Sequence, residues 1–111
     1  MTLSKLGADD LLRVLASMSE VMNDQTLVVL APTMTSLPSG RAFEYARRAK
    51  VVSFTTSGDA YEPIIFHAYV LSLGEQLYQC SLTALPGSYS PYLGTFHQFC
   101  QSVRSINPRK H

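Results

Sequence analysis

The sequence predicts an α+β fold: an antiparallel β-sheet of about four strands with an N-terminal and a C-terminal helix, as an α/β/α or two-layer sandwich. Three observations point there. Residues 9–22 carry one apolar stripe at helical spacing, residues 26–85 hold branched and alternating stretches punctuated by glycine, and an aromatic stripe closes the chain after a Pro/Gly/Ser break. The 111 residues suit a single domain spanning 1–111, and 46% hydrophobic with 15% charged residues is a composition that folds.

In the first segment, "DDLLRVLASMSEVM", Leu11, Leu15, Met18 and Met22 recur at i, i+4, i+7 and i+11, flanked by Val14 and Val21. Asp9 and Asp10 suit the positive end of that helix, and Asn23 is a left-handed stop. "QTLVVLAP" reads as a short strand ended by Pro32. "RAFEYARRAKVVSFTTSG" mixes helix formers with strand alternation and is read as strand throughout, with residues 41–48 open to a helical alternative. Gly58 and Asp59 mark a turn, "EPIIFHAYVLSL" is a long strand that begins at Pro63, and "QLYQCSLTAL" is the last strand. Ser90 and Pro91 are placed as N-cap and N1 of a closing helix whose stripe is Tyr92, Phe96, Phe99, Cys100, Val103 and Ile106, ended by Pro108.

The register of the last hairpin decides which side chains share a face. A two-residue loop at Gly74-Glu75 groups His67, Tyr69 and Leu71 with Tyr78, Cys80 and Leu82. A three-residue loop, Ser72-Leu73-Gly74, groups Ile64, Phe66, Ala68 and Val70 with them instead. The odd loop gives the more uniformly apolar face and is preferred. It leaves Ile65, His67, Tyr69, Leu71, Gln79 and Ser81 on an outer surface, the candidate site for a partner or ligand. Ile65 and Leu71 make that surface too apolar to face water, so a bound protein or a symmetric second copy is expected to cover it, with the first helix as the rival cover.

Cys80 and Cys100 both point to the core under the closing helix. Two buried thiols packing as hydrophobes are the favoured reading; a disulfide joining helix to sheet and a reactive or metal-binding thiol are the alternatives. His97 precedes Cys100 by three residues but lies off the apolar stripe, so a solvated histidine is expected. No nucleophile elbow, phosphate-binding glycine loop, zinc-protease motif or carboxylate pair occurs, so the sequence implies no catalytic residue, cofactor or metal. Nine basic against eight acidic residues argue against nucleic acid, and no apolar run is long enough for a membrane span. The cluster Arg41, Arg47, Arg48 and Lys50 reads as a solvated strand edge, with a groove for an acidic partner as the minority reading. The start lacks a secretory pattern, so the chain as it stands reads as cytoplasmic, and as envelope or periplasmic if a signal segment precedes it.

The stretch "LGEQLYQCSLTALPGSYSPYLGTFHQFCQSV" resembles the C-terminal part of PsbP-like and DcrB-like proteins, through Gly74, Tyr78, Tyr92, Phe96 and Ser102. The resemblance covers about a third of the chain well. It implies an α/β/α sandwich and a non-enzymatic role, in a family that spans small lipoproteins, extrinsic photosynthetic subunits, a Ran-binding protein and chaperones for secreted effectors. The expected function is thus a non-catalytic protein-binding module, an envelope- or secretion-associated accessory protein or chaperone that binds another protein or itself as a homodimer. The alternative is a small enzyme or ligand carrier that uses the surface around His67.

Overall fold

The computed structural model describes residues 1–55 and 58–103. Along the chain run β1 (Thr2–Leu6), α1 (Ala8–Asn23), a short 3-10 turn (Gln25–Leu27), β2 (Val28–Leu37), β3 (Gly40–Thr55), β4 (Gly58–Leu73), β5 (Gln76–Ala84) and α2 (Pro86–Ser102). The strands form one antiparallel sheet of five, in the order β1-β5-β4-β3-β2. The fifth strand is β1, which five residues of mixed polarity do not announce; it pairs Leu3 with Cys80 and closes the β5 edge. Among the described residues no helix is long and apolar enough to cross a membrane.

Helix α1 begins where Asp10 reaches back to accept a hydrogen bond from the Gly7 N–H at 3.0 Å, which satisfies one donor of the helix's first turn. Strand β2 runs past the proline expected to end it. Pro32 sits on the outermost strand, in a break of register between Leu30 and Thr33, where a missing N–H removes no regular ladder bond. All of 41–48 is strand, as the sequence suggested. Strands β3 and β4 each have 16 residues, ~53 Å at the usual rise of about 3.3 Å, and set the molecule's longest dimension of 58 Å. Pro63 lies within β4 rather than at its start, in the part that precedes the pairing with β5 at Ile65. Gly58 opens β4; the residues just before it, like Ile106 and Pro108, lie outside the described residues.

The last hairpin has the two-residue loop. Leu73 pairs with Gln76 around Gly74-Glu75, and Gly74 alone takes a positive φ, +65°, as a type II′ turn with glycine first requires. The three-residue loop expected from the sequence is therefore wrong. Tyr69 stands opposite Cys80, His67 opposite Leu82 and Leu71 opposite Tyr78. The physical reason is the position of β4 at the centre of the sheet with cover on both faces. Ile65, His67, Ala68, Tyr69, Val70 and Leu71 are all buried, so alternation of polarity carries no register information there.

The core is unequal on the two faces. Under α2, Phe96, Cys100 and Val103 pack on Tyr69, Leu71, Cys80, Leu82, Leu37 and Ala42. Residues of opposite parity on β3 and β4, Tyr45 and Ala68, pack with Val21 of α1 in a much smaller cluster, helped by Met18, Leu27, Val28 and Phe66. Cys80 and Cys100, both fully buried, form a disulfide, with Cα atoms 6.0 Å apart, that ties α2 to β5. The favoured expectation of two free thiols is overturned: the register that places Cys80 under α2 brings it directly to Cys100.

Candidate functional site

The outward surface expected at Ile65, His67, Tyr69, Leu71, Gln79 and Ser81 does not exist as one face. The first four are buried, His67, Tyr69 and Leu71 of them beneath α2, while Gln79, opposite Val70, and Ser81, opposite Ala68, lie on the other side, partly exposed. Leu71 is covered by the α2 cluster of the same chain, with Phe96, Cys100 and Val103, and Ile65 is buried within the chain, opposite Ala84 of β5.

His67 and Tyr69 instead belong to a buried polar cluster. His67, 2% exposed, has Nε2 at 2.6 Å from the Glu44 Oε2 on β3 and Nδ1 at 2.6 Å from the Tyr89 hydroxyl in the first turns of α2. Tyr69 meets Nδ1 of His97, a residue expected in solvent but half-buried one turn before the disulfide. The reach of Tyr89 depends on where α2 begins. Leu85 is the N-cap and Pro86 the first helical residue, five earlier than expected, so Pro91 lies inside the helix and costs one backbone bond.

Burial holds the imidazole of His67 below its ordinary pKa, against the hydrogen bond and charge of Glu44, so the ring is neutral at pH 7. With the proton on Nε2, His67 donates to the Glu44 carboxylate and accepts the Tyr89 O–H at Nδ1. Burial, then the Glu44 charge, pushes Tyr89 above the usual phenol range, and burial, then hydrogen bonding to Glu44 and its charge, does the same to Tyr69, so both stay protonated. The arrangement has the order carboxylate, imidazole, hydroxyl, yet the hydroxyl is raised rather than activated. Its clear effect is to satisfy two buried polar side chains, Glu44 and His67, and, through the partly buried Tyr89, to fix α2 on the sheet.

The open feature lies on the opposite face. Between α1 and the sheet is an apolar groove of about 770 Å³, framed by Leu11, Leu15, Met18 and Met22 of α1, with Phe43, Val70 and Leu77 of the sheet beneath and Met34 of β2 at one side. It exists because α1 buries Val14 and Val21, the flank of its predicted stripe, and turns the other flank outward. Met22 is 67% exposed, Leu15 52%, Met34 51% and Phe43 46%. The sequence put Leu11, Leu15, Met18 and Met22 on one apolar stripe without showing that part of it stays open. The usable signal was a stripe too wide for one buried seam, running from Val14 and Val21 to Leu15 and Met22.

The basic cluster divides by strand parity. Arg47 reaches α1, pairing with Glu20 at 2.6 Å and donating to the Ser17 hydroxyl, and Arg48 donates to the Thr26 and Val28 carbonyls. Arg41 stands on the groove's lining, and its side chain has no ion pair or hydrogen bond among the described residues. Among those residues no group of three or more His, Cys, Asp and Glu side chains converges to hold a metal ion. No family model, no curated protein and no solved structure matches the chain.

Proposed function

We propose that the protein is a non-catalytic protein-binding module whose site is the groove between α1 and the sheet, not the β4 surface around His67. The observation that carries this reading is the groove itself, rimmed by Leu15, Met22, Met34 and Phe43, large apolar side chains about half or more exposed. Soluble proteins rarely leave such side chains contiguous unless something docks there. The buried disulfide supports an oxidising compartment, hence an envelope- or secretion-associated accessory protein or chaperone. The PsbP-like or DcrB-like reading belongs to the same proposal. Its helix-sheet-helix layering is supported by the opposite parity of the two apolar clusters along β4.

Against a small enzyme or carrier built on His67 stand the enclosure of that ring and a Tyr89 hydroxyl held in its protonated form. The test is affinity capture from an extract of the source cells. A partner retained by the native protein and by Tyr92→Glu, on exposed α2 surface, but lost with both Met22→Glu and Phe43→Glu, is the expected result. Retention by all four proteins would move the binding surface elsewhere.

A further inference from the structure

The geometry points to the kind of partner the groove accepts: an amphipathic helix whose apolar stripe is flanked by a carboxylate, with Arg41 as the side chain that selects for that charge. This inference rests on the groove being a protein-binding site and names what fills it.

Length and shape come first. The α1 wall runs from Leu11 to Asn23, ~20 Å at the helical rise, or between three and four turns, enough for anchors at i, i+4, i+7 and i+11. The floor is the face of β3, β4 and β5, whose backbone bonds are already used between strands, and the edge strand beside it, β2, is interrupted by Pro32 and two breaks of register, so an incoming chain finds no regular ladder to join. Apart from Arg41, the polar side chains on the lining are Ser19, Asn23 and Ser72. An extended peptide laid there would leave most of its own N–H and C=O groups unpaired, whereas a helix satisfies them internally.

The mouth decides between a helix and a small apolar molecule. A sequestered ligand has most of its surface buried within its pocket. Here Met22, Met34 and Phe43 project at the opening, so the occupant must cover the rim as well as fill the floor. Met18, Met22 and Met34 are flexible and polarisable, suited to repacking around an apolar helix face.

Charge supplies the specificity. Among the described residues Arg41 is the one charged residue on the lining, no carboxylate accompanies it, and its side chain has no partner, while Arg47 and Arg48 are engaged within the fold. A carboxylate beside the partner's stripe meets a cation there; a lysine meets repulsion.

The test uses two fluorescein-labelled helical peptides of about 18 residues, ~27 Å long. They share a leucine stripe on an alanine and glutamine background, flanked by glutamate in one and lysine in the other. Anisotropy titrations are run at low and at physiological salt on the intact, oxidised protein. The glutamate peptide is expected to bind about tenfold more tightly at low salt, with the gap narrowing as salt screens it. Arg41→Gln should abolish that preference, and Met22→Glu and Phe43→Glu, each checked for native circular dichroism, should weaken both peptides. Equal affinity for the two peptides would overturn the charge selection and leave the binding role intact. Failure of both peptides to bind while dodecanoate does, or binding unaffected by Met22→Glu and Phe43→Glu, would overturn the helix inference and the binding reading together. A self-associated protein, by sedimentation, that neither peptide dissociates would make the occupant a second copy and overturn the inference.

Discussion

The two faces of the sheet are built to different standards. Under α2, Phe96 and Cys100 are fully buried, a disulfide locks helix to strand, and even the polar residues Glu44, His67, Tyr69, Tyr89 and His97 partner one another. Under α1, three fully buried residues form the cluster, and beside them a groove stays open, with large apolar side chains at its rim. Density on one side permits looseness on the other. A sheet anchored by α2 has a fixed floor, so α1 need not fill its own side for the fold to persist. The difference also places the proposed binding site: at the open apolar groove rather than at the closed polar cluster.

Substitutions can break this contrast, beginning with the largest effect. Phe96→Ala removes a fully buried ring at the centre of the α2 cluster and is expected to cost about 4 kcal/mol, read as a lower urea midpoint. A loss under 1 kcal/mol would show that the α2 face is not the main source of stability. Next, opening the Cys80–Cys100 link, whose partners are 20 residues apart, by Cys80→Ala with Cys100→Ala should cost about 3 kcal/mol. In urea melts with and without reductant, the native protein should respond and the double variant should not.

The third effect depends on pH. His67 has a folded pKa below its ordinary 6.5, so below that value the unfolded chain takes up a proton that the folded one does not. Its contribution is fully present above pH 6.5 and is lost as pH falls toward the lowered folded value. The slope is at most about 1.4 kcal/mol per pH unit. Glu44, Tyr89, Tyr69 and His97 surround the ring, and of these Glu44 opposes the shift while His97 reinforces it. His67→Gln retains a donor and an acceptor but does not titrate. A series of urea midpoints from pH 7.5 to about 5 should therefore be flatter for the variant than for the native protein; equal slopes would remove His67 as the cause. The smallest stability effect belongs to the groove. Phe43→Glu at the rim should change stability by no more than about 0.5 kcal/mol while weakening peptide binding, and a cost like that of Phe96→Ala would make the groove part of the core.

Ile65 and Leu71 show the limit of pattern reading. Their apolarity was correctly judged too great for water, and the cover was assigned to another molecule because the hairpin was set one residue out of step. Gly74 could not arbitrate, since both candidate loops want a glycine at positive φ. By contrast, Cys80 and Cys100 were placed in one core correctly under either register, because it is β4 and not β5 that turns over between them. The groove was harder to read for another reason: the width of the α1 stripe was its one signal, and Leu15 and Met22 look the same in sequence whether a helix presses them onto a sheet or holds them at an opening.

Local chemistry in the chain therefore determined the two helices, the strand character of residues 41–48, the glycine at the tight turn and, apart from the exposed Tyr92, the seam of α2 through Phe96, Phe99, Cys100 and Val103. Those follow from spacing and backbone preference within a few residues of each position, whereas the expected caps, Asn23 and Ser90, both lie inside their helices. The pairing of β1 with β5, the register of β4, the disulfide, the Glu44–His67–Tyr89 contacts and the open side of α1 were decided by the tertiary structure alone. Each depends on which distant segment covers which face, and a central strand covered on both sides erases the periodicity from which that could have been read.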